Sequence, residues 1–279
     1  MSETPLLSVH GLSVTLPTGR KQSVDAVRRV DLTVMAGERV GIVGESGSGK
    51  SVSVRAMSGL LPESPLVRVG GSIRFRDTEL VGASRSVWDD IRSKRIAMIF
   101  QDPSSFLNPT MKVGRQVREA LLKGRSTDRS WAETHRFMTL AGLSDPATVA
   151  DRYPFELSGG MRQRILIAIA LAKAPEIIIA DEPTTALDAT VQRRVLKSLD
   201  ESVSQLDTAL LLITHDLAVV AGLCDRVYVM YRGEIVESGN TDQIFYEPQH
   251  AYTKELLRCV TSLSDSTPDL YVGDYASRR

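Results

Sequence analysis

The residues best suited to chemistry are Gly44, Glu45, Ser46, Gly47, Ser48, Gly49, Lys50 and Ser51, which read GESGSGKS. Every position fits the phosphate-cradling pattern G-x-x-x-x-G-K-[ST]. Glycine lets the backbone turn its N–H groups inward. The helix that follows adds the positive end of its dipole, so the segment suits phosphate oxygens. Lys50 is placed to reach the β- and γ-phosphates of a nucleotide, and the Ser51 hydroxyl to hold Mg²⁺. The loop predicts a nucleoside triphosphate. It does not say what the energy is for.

Further polar residues sit at the ends of apolar runs. Asp181 and Glu182 follow EIIIA (176–180), at the strand edge where open α/β sheets gather ligands. An acid there binds Mg²⁺, directly or through water, opposite Ser51. Glu182, one residue on, is placed to polarise an attacking water. Taken alone, the pair would serve equally to cap the next helix. His215 follows LLLI and Thr214. A lone histidine is more often structural, but the shared sheet edge favours a γ-phosphate contact. Gln101 follows IAMIF, and its amide can touch both Mg²⁺ and water. Ser158, Gly159 and Gly160 begin a helix and repeat the physics of the first loop without its lysine. Two anion cradles in one chain suggest that the second serves a nucleotide held by another molecule.

These residues need a scaffold, and the hydrophobic pattern supplies one. Leu6–Leu16 and Val24–Val34 alternate imperfectly around the turn PTGRKQ, which predicts antiparallel strands; Val69–Phe75 is a candidate third. Arg39–Val43 is a short buried strand before the loop, and Val52–Leu61 a helix stopped by Pro62. Ile96–Phe100, Glu176–Ala180 and Leu210–Ile213 are further buried strands, and the β-branched Glu176–Ala180 run suits a parallel sheet. Met161–Lys173 and about 189–206 are helical, and Val227–Val236 is a hairpin around Arg232-Gly233. From Val113 to Leu143 the period is helical, with Val117, Ala120 and Leu121 on one face and Trp131, Thr134, Met138 and Ala141 on another; Gly124–Arg129 separates the two helices. This block, about 102–157, is read as a helical insertion in a domain spanning 6–240. Residues 241–279 form a C-terminal accessory tail with one helix and a polar end at Arg278-Arg279.

Composition bounds the reading. The chain has 279 residues, 42% hydrophobic and 24% charged, as expected of a soluble globular protein. Lys+Arg and Asp+Glu both total 34, so bulk charge gives no support for nucleic-acid binding. No apolar run approaches the roughly 18 residues of a membrane span. The N-terminus MSETPLLSVHG lacks the regions of a signal peptide, which predicts a cytoplasmic protein. Cys224 and Cys259 form no C-x-x-C pair and are expected to be ordinary thiols.

The set GESGSGKS, Gln101, LSGGM, IIIADEP, ALD around Asp188 and ITHD resembles the nucleotide-binding subunit of an ABC transporter. The motifs occur in the family's order and cover roughly Gly37 to Gly239. The resemblance implies an α/β P-loop NTPase fold of the ABC type, with an N-terminal antiparallel β subdomain and an inserted α-helical subdomain. It implies ATP and Mg²⁺ as cofactors, with Ser51, Gln101 and Asp181 around the metal and Glu182, Gln101 and His215 as the catalytic set. It also implies a head-to-tail dimer, identical or homologous. ATP would lie between the phosphate loop of one subunit and Ser158–Gly160 of the other, with Asp188 at the seam. ATP binding would close the dimer, hydrolysis open it, and the motion pass to membrane permease subunits.

MIFQDPSSFLNPTMKVG, YPFELSGGMRQRILIAIAL and HAYTKELL resemble the dipeptide and oligopeptide importer subunits, a subfamily shared with nickel importers. That adds an extracytoplasmic substrate-binding protein as an indirect partner, a peripheral place on the cytoplasmic face of the membrane, and no nucleic acid. A soluble ABC-type ATPase of DNA repair or translation is the alternative class; it would bring coiled-coil insertions, a metal hook or a second cassette, none of which is seen here. Permease docking is expected after Gln101, at Phe106, Leu107 and Met111. The sequence departs from the family at Leu16, where an aromatic residue usually stacks on adenine, and looser adenine discrimination follows. It also reaches Arg279 without the cysteine-containing segment of many peptide-importer subunits.

Overall fold

Alternation of apolar and polar residues shapes the first strands, and continuous apolar runs shape those around the site. The computed structural model describes residues 4–19, 22–123, 130–185 and 187–264, with backbone alone for 259–264. The connector 124–129, the Cys259 side chain and the tail ending in Arg278-Arg279 lie outside the described residues. Along the chain come β1 (Leu7–Pro17), β2 (Ser23–Val34), β3 (Arg39–Val43), α1 (Lys50–Met57), β4 (Arg68–Phe75), β5 (Thr78–Glu79) and α2 (Arg85–Lys94). Then follow β6 (Ile96–Ile99), α3 (Val113–Lys123), α4 (Trp131–Leu140), α5 (Pro146–Ala150), α6 (Gly159–Ala172), β7 (Ile177–Asp181) and α7 (Ala189–Gln205). The chain continues through β8 (Ala209–Thr214), α8 (Leu217–Leu223), β9 (Arg226–Tyr231), β10 (Glu234–Asn240), α9 (Thr241–Tyr246) and α10 (Ala251–Ser264). Two compact units result: residues 1–84 with 211–279, and residues 85–210.

In the first unit the strand order is β5-β4-β1-β2-β10-β9-β3, with β8 next to β3. β1 pairs antiparallel with both β2 and β4, and bulges shift the β1–β2 register near Val9–Leu12 and Val14–Thr15. Leu7, Val9, Leu12 and Val14 face the core with Val27, Val30, Leu32 and Val34. β3 runs parallel to β9 and is apolar and buried beyond Arg39, as a strand covered on both faces must be. α1 buries Val54 and Met57. It ends earlier than the sequence suggests. Gly59, at φ 65, donates its N–H to Ala56 O, and Leu60 donates to Arg55 O. This paired closure stops the helix, so Gly59 and not Pro62 is the terminator.

In the second unit β6 and β7 are parallel, with Ile96 opposite Ile177 and Ile99 opposite Ala180. α6 is apolar nearly all round and buries Ile165, Leu166, Ile167, Ala168, Ala170 and Leu171, the pattern of a core helix. α3 and α4 pack on it through Val117, Ala120, Leu121, Thr134, Phe137 and Met138. Trp131 departs from expectation: it is 42% exposed at the first turn of α4, with the Arg118 guanidinium 5.3 Å from its ring, and Phe137 takes the buried place. Leu107 is core, whereas Phe106 is half exposed and stacks on Phe100 at 3.7 Å. α2 was not expected from the sequence, because it buries only Ile91; it carries Arg92–Asp89 and Lys94–Asp90 ion pairs at 2.8 and 2.7 Å.

Candidate nucleotide site

The phosphate loop lies in the first unit, between β3 and α1. Gly44 has φ 152, and a Cβ there would run into the Met230 carbonyl of β9. Only glycine fits that crossing. Gly49, at φ 106, turns the chain into α1, whose first turn holds no acidic residue to offset the dipole. Lys50 is 4% exposed, and its side chain folds back over the loop: Nζ donates to Gly44 O and Glu45 O, each at 2.7 Å. Gly233 N donates to Ser48 O at 2.8 Å, tying the loop to the β9–β10 turn. Glu45 N donates to the Tyr252 hydroxyl at 3.0 Å.

His215 is exposed, one residue past β8. It is held between two local locks. The Thr214 hydroxyl accepts Asp216 N at 2.9 Å, and Asp216 Oδ1 accepts Ala218 N at 3.0 Å, capping α8.

The second unit carries the other candidates. Asp181 is the last residue of β7 and is 5% exposed. Glu182 follows at φ 47, and Thr185 Oγ1 donates to its Oε2 at 2.8 Å. Gln101 is exposed just beyond β6. Its neighbours are anchored to α6: Gln163 Nε2 donates to Phe100 O at 3.4 Å, and an Arg162 guanidinium nitrogen to Ser104 Oγ at 2.9 Å. Asp102 caps the short 3-10 turn 103–105, and hydrogen bonds from Ser105 Oγ and Ser104 N hold its carboxyl below the usual range.

Two helix N-termini meet in this unit. Ser158 caps α6 by accepting Met161 N at 3.3 Å, and Asp188 caps α7 by accepting Val191 N at 3.0 Å. Gly160, in the first turn of α6, lies against Val191, in the first turn of α7. Ser158, Gly159, Gly160 and Asp188 are thus brought together, and any Cβ at position 160 would meet Val191 Cγ1.

Sequence reasoning missed Tyr231 and Tyr252. HAYTKELL is distinctive, but nothing local ties it to a loop 207 positions away.

A glycine-built loop from a buried parallel strand to a helix, closed by a buried lysine, defines the class: an α/β P-loop nucleoside triphosphatase. The ABC transporter family model matches residues 27–185. The chain is 45% identical over 265 residues to the oligopeptide transport ATP-binding protein OppD of Bacillus subtilis, covering 94% of this chain and 74% of that protein. It is 44% identical over 278 residues to the dipeptide transport ATP-binding protein DppD of the same organism, covering 95% and 83%. Among solved structures, the ATP-binding cassette MJ0796, dimeric and bound to ADP and Pi, superposes with a TM-score of 0.73 at 26% identity, covering 84% of this chain and 98% of that one. CbiO1 of Clostridium perfringens, part of the ABC transporter complex cbiONQ, gives 0.71 at 27% identity, covering 93% and 96%. The chain belongs to the ABC transporter family and is one of its ATPase cassettes. Among the described residues, no helix is long and apolar enough to cross a membrane.

Proposed function

We propose that this chain powers the import of dipeptides or oligopeptides by hydrolysing ATP at the cytoplasmic face of the membrane, beside separate permease subunits. The names of the relatives support the cargo class. The observation that carries the mechanism is the pair of anion cradles: one has Lys50, and the other has only Ser158 and the bare amides of Gly159 and Gly160. Each ATP would lie between the Gly44–Ser51 loop of one copy, or of one cassette of a mixed pair, and the Ser158 segment of the other. Ser158 Oγ accepts Met161 N and still has its own proton to give to a phosphate oxygen.

In this reading the loop amides beyond Glu45, whose own N–H goes to Tyr252, and the Lys50 ammonium bind phosphate, and Asp188 stands at the seam. Ser51, Gln101 and Asp181 offer oxygen donors, the set that suits Mg²⁺, which would offset phosphate charge when bound. Glu182 takes the proton of the attacking water, and His215 contacts the γ-phosphate. The cassette spans 6–240, with 102–157 as its helical insertion and 241–279 as an accessory tail. Phe106, exposed and stacked on Phe100, is the docking candidate toward the permease; Leu107 is occupied in the core.

Ser158→Arg tests the shared site. It is expected to leave ATP binding to the isolated chain intact and to abolish hydrolysis; unchanged ATPase refutes the two-copy model. For cargo, the assembled transporter is expected to speed ATP hydrolysis when its binding protein carries a peptide. Stimulation by the nickel-loaded binding protein instead would move the assignment to metal import.

A further inference from the structure

The C-terminal helix reaches back to the phosphate loop. Glu237, on β10, accepts the N–H groups of Gln249 (2.6 Å) and His250 (3.0 Å), just before α10. Burial works to raise the Glu237 carboxyl, but the Gln249 amide, the Thr253 hydroxyl and the His250 amide together outweigh it and hold it below the usual range. His250 Nδ1 then accepts Tyr252 N at 3.2 Å. These bonds seat Tyr252, 7% exposed, on the ring of Tyr231 with centroids 4.2 Å apart. Its hydroxyl accepts Glu45 N at 3.0 Å. Burial is the main cause that raises this phenol, so it stays neutral at physiological pH.

Glu45 is the residue that Lys50 also uses. Its N–H goes to Tyr252, and its carbonyl, 2.7 Å from Lys50 Nζ, takes the ammonium. One peptide segment is therefore pinned from both sides, by a residue of the loop and by a residue of the tail. An unpinned limb would have to be ordered when phosphate binds, and that ordering opposes affinity.

We propose that Tyr252 is a positioning residue for nucleotide binding: its hydroxyl fixes Glu45 and, through it, the first limb of the phosphate loop and the resting place of Lys50. The inference rests on reading Gly44–Ser51 as the site for the nucleotide's phosphates. It makes the C-terminal helix a latch on that site. Latch and ligand must then be coupled reciprocally: whatever factor the latch adds to phosphate affinity, bound phosphate adds to the stability of the latch.

The test uses the full chain, with ATP and inorganic pyrophosphate as probes. Tyr252→Phe keeps the ring on Tyr231 and removes only the oxygen. Kd for both probes is expected to rise about fivefold, the loss of one hydrogen bond, and KM for ATP to rise with kcat unchanged. Glu237→Ala, which releases the start of α10, is expected to raise both Kd values in the same direction. In the wild type, ATP or pyrophosphate is expected to slow hydrogen exchange over residues 251–258, and in Tyr252→Phe to slow it less. A merely structural tyrosine would lower the melting temperature and leave Kd, measured well below it, unmoved; that result overturns the inference. So does a Tyr252→Phe chain that binds pyrophosphate like the wild type. If the wild type itself binds neither probe, the reading of the loop fails first and takes this inference with it.

Discussion

Gly160 allows a sharp test of how the Ser158 segment is built. A methyl group at this position would fall inside the contact distance of Val191 Cγ1. Val191 cannot easily swing away, because a β-branched residue in a helix has one strongly preferred χ1 rotamer. Overpacking of this kind costs about 1–3 kcal/mol, and the fixed rotamer puts Gly160→Ala near the top of that range. Alanine's better helix propensity returns at most about 1 kcal/mol, so the net loss is about 2 kcal/mol. Val191→Ala alone removes two half-buried methyl-sized groups and should cost about 1 kcal/mol. In the double variant the nearest heavy atom to the new methyl is Val191 Cβ at 3.8 Å, an ordinary contact. The two changes should therefore couple by about 2–3 kcal/mol, with the double variant more stable than Gly160→Ala. Trp88 and Trp131 both lie in the 85–210 unit, so tryptophan fluorescence during urea unfolding reports on the unit that holds both changes. ATPase activity should fall in Gly160→Ala and recover in the double variant. A Gly160→Ala chain as stable as the wild type, or a double variant no better than the single, would refute the close-approach argument.

Two further outcomes follow from the proposed site. Glu182→Gln is expected to slow ATP hydrolysis by about 10²–10⁴-fold, the usual contribution of a general base, while ATP still binds and the closed dimer accumulates on size-exclusion chromatography; normal turnover would remove Glu182 from that role. Leu16, the position that the family resemblance assigns to the adenine, is half buried and pairs with the exposed Val24 across β1 and β2. Leu16→Phe is expected to raise ATP affinity about fivefold or more, from the roughly 1–3 kcal/mol of base stacking on an aromatic ring, and to widen the preference for ATP over GTP. A wild-type chain that already discriminates strongly, and loses this when Leu16 alone is changed, would show that leucine serves in place of the ring.

Features written in a few consecutive residues were legible in the sequence. The loop from Gly44 to Ser51, the β-branched run of β7 and the apolar length of α6 each declare themselves locally, and all appear where expected. Helix ends were less so. Pro62 looks like the stop for α1, but the left-handed turn at Gly59 acts first, because it can satisfy the last carbonyls while a distant proline cannot. Faces at helix ends were less legible still. Trp131 has the right spacing to be buried, yet it overhangs the first turn of α4, and Phe137, one position off the chosen stripe, fills the core. α8, with Asp216 as its cap, is hard to see in the sequence because THD suits a ligand contact as well as a helix start. The Glu45–Tyr252 bond was beyond reach. It depends on Glu237 clamping the start of α10, a contact between residues whose types carry no sign of each other.

Glu182 is one of five non-glycine residues with φ near 50 among the described residues. A non-glycine residue at φ 47 is uncommon and costs of order 1–3 kcal/mol. Its surroundings require it. Asp181 still belongs to β7 and is buried, while Pro183, also buried, disfavours the right-handed helical region for the residue before it. An extended Glu182 would carry the chain straight on past the strand end. The left-handed turn brings it back instead, so that Thr185 N reaches Glu182 O at 3.4 Å and Thr185 Oγ1 reaches Oε2 at 2.8 Å. The carboxylate is thus held in place by β7, Pro183 and Thr185, a fixed geometry of the kind the proposed base would need. Glutamine has the same shape and keeps an oxygen for the Thr185 hydroxyl. The turn and its strain should survive Glu182→Gln, so the loss of rate in that variant measures the missing negative charge and not a collapsed loop.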